Sequence, residues 1–126
     1  MRCPNLKTLI WNAIRASEST SIADSGIENF ITGEKVELVP ANIFSNSKTL
    51  TNVVLSNSVT EIGNQAFGYC SNLKSVILPE SLEIISDYAF RYSGLEYIVI
   101  PQNVKQIGTW AFHNVPMEYA IVTPIE

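Results

Sequence analysis

The sequence predicts an α/β fold of solenoid type: a right-handed superhelix of about five to six coils, with one parallel concave sheet, short second strands and short helical turns. Two observations predict it. Phe44, Phe67, Phe90 and Phe112 recur at spacings of 23, 23 and 22 residues, and an opening apolar residue recurs as Ile27, Leu50, Leu73, Leu95 and Met117. Self-similarity at such a period marks coils that each bury one face against the next, because a single unit cannot bury its apolar side alone. Parallel order and handedness follow from connectivity, since the rest of each coil returns the chain to the start of the sheet in the same direction. The whole chain, 1–126, is read as a single domain, with strands starting near residues 6, 27, 50, 73, 95 and 117.

Residues 73–94, LKSVILPESLEIISDYAFRYSG, show the unit. Leu73, Val76 and Leu78 are its first apolar set, with β-branched Val76 and Ile77 before Pro79. That run reads as a strand. Pro79 and Pro101 hold the same place in successive units, where a residue without an N–H ends a strand and leaves no ladder bond unmade. Leu82 and Ile85 form a second, shorter apolar set, matched by Val36 and Val39, Val59 and Ile62, and Val104 and Ile107. They read as a brief extended run. A corner follows with Gly63, Ser86 or Gly108, then Asn64, Asp87 or Thr109, then Ala-Phe. Asn, Asp and Thr are good helix N-caps, so one short helical turn carrying Phe inward is expected there.

These residues resemble a known family. The pattern L-x-x-V-x-L-P-x-x-L-x-x-I-x-x-x-A-F, followed by a small residue and a new Leu, is similar to the BspA-like, or Treponema pallidum-type, leucine-rich repeat. Residues 50–72, 73–94 and 95–116 carry it almost fully, including Ala66-Phe67-Gly68-Tyr69-Cys70. The ends depart from it. Residues 27–49 have Ile43-Phe44 in place of Ala-Phe, and residues 6–26 lack the Phe, with Ile22 expected in its place. The resemblance implies a bacterial protein, extracellular or on the cell surface, that attaches to host proteins or to other cells.

Composition narrows the function further. A hydrophobic fraction of 46% with 16% charged residues suits a chain in which most columns face inward, and argues against disorder. A net charge of −4 and scattered basic residues argue against a nucleic-acid partner or an anionic membrane surface. No apolar run is long enough to span a bilayer, so direct membrane insertion is not expected. Cys3, Pro4 and Asn5 interrupt any signal-peptide core, and the start only a few residues before the first strand suggests a fragment or a short paralogue. Cys3 and Cys70 fall in one repeat column three coils apart. At ~4.8 Å per parallel strand their separation is ~14 Å, too far for a disulfide, so both are expected to be free.

A search for chemistry finds no constellation, and the expectation is no enzyme, no cofactor and no metal. His113 shares a column with Ser45, Gly68 and Arg91 and is expected to face solvent. Glu80, Glu83 and Asp87 read as a solvated rim, and Gly63 and Gly108 as corner glycines outside any phosphate loop. Trp11 aligns with Leu55 and Leu78 and is expected to fill the first coil. Tyr88 with Trp110, and Tyr69 with Tyr92, are expected to stack between adjacent coils as core-edge packing.

Two readings of function remain: a protein-binding or adhesion module, and a structural spacer or capping fragment of a longer repeat protein with no ligand of its own. Strand alternation supplies the candidate site. With Val76 and Leu78 inward, Ile77 points out of the concave sheet, together with Ile10, Ile31, Val54, Val99 and Ile121. The column two residues earlier is Thr8, Asn29, Asn52, Ser75, Tyr97 and Tyr119, which sets two tyrosines beside Val99 and Ile121. Tyr97, Val99, Tyr119 and Ile121, with Ile77 and Val54, are therefore the candidate protein-contact residues. Any self-association is expected to be weak and to run through a sheet edge, the N-terminal one above all, or through the concave face.

Overall fold

A computed structural model describes residues 5–16 and 21–122. Its strands, in chain order, are β1 (Thr8–Trp11), β2 (Asn29–Thr32), β3 (Leu38–Val39), β4 (Asn52–Val54), β5 (Glu61–Ile62), β6 (Ile84–Ile85), β7 (Tyr97–Ile100), β8 (Gln106–Ile107) and β9 (Tyr119–Val122). All pair in parallel, as coils wound in one direction require. This is a β-solenoid with little helix.

The concave strands keep the register of the repeat. Ile10 pairs with Ile31 and Ile31 with Val54; at the other end Val99 pairs with Ile121. The single expected sheet is interrupted, however. β1, β2 and β4 form one sheet, β7 and β9 another, and between them only an isolated bridge joins Val54 to Ile77. The second column is the more regular one: β3, β5, β6 and β8 make a continuous four-stranded ladder of two-residue strands, each starting close to where the apolar pairs predict.

The corners differ from the expected helical turns. Among the described residues the one helical segment is a 3-10 turn at Ala23–Ser25; residues 63–70 and 86–93 are chained turns. Ala66 N donates to Gly63 O and Cys70 N to Phe67 O, with Gln65 and Tyr69 at positive φ in the third position of each turn, the conformation of a type II turn. Bonds to the next coil decide the outcome. Phe44 N donates to Ala66 O at 2.9 Å, and Phe67 N to Ala89 O and Phe90 N to Ala111 O at 2.8 Å, so these N–H groups are spent between coils and not along a helix. The N-cap expectation fails for the same reason: Asp87 Oδ1 accepts from Thr109 N, one coil further on, at 2.8 Å. Ile22 does stand where a Phe would, since its N–H donates to Ile43 O in the register that Phe44 uses toward Ala66.

The core is a stack of columns. Ile27, Leu50, Leu73 and Leu95 are buried, as are Val39, Ile62 and Ile85. Phe44, Phe67, Phe90 and Phe112 form a ladder of rings with successive centroids 6.2, 5.4 and 5.4 Å apart and planes within 19° of parallel. Phe30, which stands in register with Val53, meets Phe44 edge-on at 4.9 Å and closes the ladder. Trp11 is half-buried and packs against the core from its edge, so it does not fill the first coil as its alignment predicts. The core also thins in the last coil, where Val104, Phe112 and Met117 are half-buried and Ile107 is exposed.

Candidate protein-contact surface

Alternation along β7 and β9 builds the surface. Ile98 and Ile100 turn into the core, which forces Tyr97 and Val99 outward. Parallel pairing then sets Tyr97 beside Tyr119 and Val99 beside Ile121. The two tyrosine rings stack at 5.7 Å with planes 18° apart, and they remain 40% and 54% exposed. The apolar column continues with Ile77, 83% exposed, and with exposed Val54 and Ile10; Ile31 is half-buried. The structure thus brings Tyr97, Val99, Tyr119 and Ile121 into one cluster and places Val54 and Ile77 together at the bridge on the same face. Glu96 N donating to Lys74 O at 2.9 Å ties the two groups across the break.

Sequence reasoning missed a depression at that break. It has a volume of about 200 Å³ and is lined by Asn52, Val53, Val54, Leu55, Ser75 and Ile77. It opens where a full ladder would otherwise bring two backbones together. The run from Lys74 to Leu78 carries the same residue types as its neighbours, so no residue marks the interruption. The rim toward β1 is polar: Asn29 Nδ2 donates to Thr8 Oγ1 at 3.3 Å, and Lys7 lies 3.5 Å from the Glu28 carboxylate.

The other residues singled out from sequence fall elsewhere. His113 is half-buried, not solvent-facing: its ring stacks on Trp110 at 4.7 Å and meets Tyr92 edge-on at 5.9 Å. Tyr69 and Tyr92 stack at 4.9 Å, whereas Tyr88 and Trp110 meet edge-on, 83° between planes, in place of the expected stack. Cys70 is free and buried, its Sγ donating to Phe44 O at 3.1 Å, and burial pushes its thiol up from 9.0 to about 12; Cys3 lies outside the described residues. Among the described residues no group of three or more His, Cys, Asp or Glu side chains is placed to hold a metal ion, and no helix is long and apolar enough to cross a membrane.

Solved structures give the fold its context. A leucine-rich repeat protein from Bacteroides ovatus superimposes with a TM-score of 0.74 at 26% identity, over 90% of this chain and 33% of that one. The T. pallidum leucine rich repeat protein matches with a TM-score of 0.72 at 21% identity, over 90% of this chain and 51% of that one. The pneumococcal vaccine antigen PcpA matches with a TM-score of 0.76 at 23% identity, over 82% of this chain and 26% of that one. The chain spans from about a quarter to about half the length of these structures. No curated protein matches by sequence. The BspA type leucine rich repeat region, by contrast, matches in six copies over residues 1–122, and the chain belongs to that family.

Proposed function

We propose that the chain is a non-catalytic protein-binding or adhesion module of a bacterial cell-surface or secreted protein, and that it binds a host or cell-surface protein through its concave sheet. The observation that carries this reading is the exposed apolar column ending in the stacked pair Tyr97 and Tyr119. Exposed aromatic and β-branched residues in register form a contiguous patch, and a tyrosine held against its neighbour loses little side-chain freedom on binding. A spacer would expose small polar residues there, as the Thr8, Asn29, Asn52 and Ser75 column does at the other end. Family membership supports the surface location and a non-catalytic role. The proposal extends to weak self-association through the same face or the edge of β1, which among the described residues pairs only with β2, and sedimentation at rising concentration reads it directly.

The test uses a protein partner recovered from extracellular host material and a measured affinity. Tyr97→Ser combined with Tyr119→Ser, with circular dichroism unchanged, is expected to weaken binding roughly tenfold or more, as loss of hot-spot aromatics does. Unchanged affinity moves the site to the convex face, and failure to recover any partner leaves the spacer reading standing.

A further inference from the structure

On the turn side of the coils an arginine lies among aromatic rings. The Arg91 guanidinium is 5.4 Å from the ring centre of Tyr88, 5.2 Å from that of Tyr92 and 5.2 Å from that of Trp110. Those rings are themselves held: Tyr92 stacks on Tyr69, and Trp110 stacks on His113. Trp110 is 54% and Tyr92 39% exposed, so the cluster is open to solvent. The positions are fixed by the backbone as well, since Tyr69, Tyr88, Tyr92 and Trp110 all sit at positive φ, a conformation that side chains of this size rarely adopt. Four bulky residues are thereby presented in two adjoining columns, Tyr88 with Trp110 and Tyr69 with Tyr92, over three coils.

Charge is distributed unevenly between this side and the rest of the molecule. Residues 40–48, 63–72, 86–94 and 108–116 contain two cations, Lys48 and Arg91, and one carboxylate, Asp87, within a chain of net charge −4. Asp87 is engaged by the backbone of Thr109. Lys48 Nζ donates to Tyr69 O at 3.2 Å, which places a second cation at the Tyr69 end of these columns. Lys7, Arg15 and Lys105 each have a carboxylate partner, but Arg91 has none among the described residues, and its Nε is buried without a hydrogen bond. Packing against rings, not hydrogen bonds, fixes its plane. A guanidinium so held is preorganised for a carboxylate from outside, which it receives through paired N–H donors.

We propose that this aromatic ladder is a second interaction surface, distinct from the concave sheet, and that it docks an acidic peptide segment of a protein partner. Arg91 takes a carboxylate, Trp110 and Tyr92 provide the apolar contact, and Lys48, whose ammonium lies at Tyr69 O in the adjoining coil, meets a second acidic side chain. One coil is ~4.8 Å along the axis, which an extended chain covers in about two residues. An elongated peptide with spaced carboxylates therefore fits better than a single acidic group. Trp, Tyr and Arg are also the residue types that dominate protein contacts.

The experiment measures binding of a fluorescein-labelled Glu-rich peptide to the whole chain, beside the same peptide with Gln for Glu and a sialylated oligosaccharide. Saturable binding of the Glu peptide alone is expected, weakening with added salt. Arg91→Gln should reduce it roughly tenfold or more, since a charge-assisted pair is lost. Tyr97→Ser/Tyr119→Ser should leave it unchanged, which separates this surface from the concave one. Trp110→Ala, at an exposed position, should also weaken binding and keeps the test decisive if Arg91→Gln does not fold. Equal binding of the Gln peptide, undiminished binding by both turn-side variants, or binding of the oligosaccharide in place of the peptide would each overturn the proposal.

Discussion

Phe90 meets a ring on either side, Phe67 and Phe112 each at 5.4 Å, and is fully buried, so truncating it empties a column from which neither neighbour can retreat. Phe90→Ala is expected to cost ~3–5 kcal/mol in denaturant melts, and Phe112→Ala less, because Phe112 is only half-buried. Equal losses would mean that the ladder is no better packed at its centre than at its end. Cys70 gives a second prediction at this scale. Its pKa is raised from 9.0 to about 12 by burial, which disfavours the thiolate in the folded chain. Below the unfolded value both states hold the thiol proton, and this group adds no pH dependence. As pH rises through that value the unfolded state loses the proton and the folded state keeps it, so stability should fall by about 1.4 kcal/mol per pH unit until the folded pKa is reached. Comparing urea midpoints of the wild type and Cys70→Ala across that window checks the sign: the extra alkaline slope should vanish in the variant.

Corners set how closely successive coils approach. A Cβ added at Gly63 would lie 2.6 Å from Ala41 N and 2.7 Å from Val39 O, both backbone atoms of the preceding coil. Gly63→Ala is therefore expected to cost ~1–3 kcal/mol through forced separation of the coils, read as a lower melting temperature with little change in circular dichroism. What the sequence disclosed about these elements depended on what kept period. Inward columns such as Leu50, Leu73 and Leu95 repeat without exception, so strand positions, alternation and the outward column through Ile77 could be read directly. Features created between coils left no such mark. The helical turn was expected from cap residues, but Asp87 bonds to the following coil, and the N–H groups of Phe67 and Phe90 do the same. The aromatic ladder was half visible: its Tyr and Trp columns were plain, while Arg91 drew no attention because Ser45 and Gly68 share its column. The sheet break and the depression beside Ile77 had no residue to announce them.

A solenoid transmits contacts only from coil to coil, so its stability should vary along the axis and not rise and fall as one unit. The structure gives that gradient a direction. Phe67, Leu73, Leu82 and Phe90 in the middle coils are fully buried between neighbours, whereas all four residues of β9 are exposed and Ile107 in the last second-column strand is 49% exposed. β9 pairs only with β7 among the described residues. Native-state hydrogen exchange should therefore show the slowest amides at Phe67 and Phe90, whose N–H groups bond to the next coil at 2.8 Å, and much faster exchange along the Tyr119–Val122 strand. A protein partner on the concave face would alter this profile in a way that locates it. Contacts centred on Tyr97 and Tyr119 should slow exchange in β7 and β9, most visibly in the exposed β9, and leave the middle coils at their intrinsic rate. Protection that instead appears at residues 88–92 and 110–113 would place the partner on the turn side, and uniform slowing along the whole axis would mean that binding tightens the coil stack as a unit.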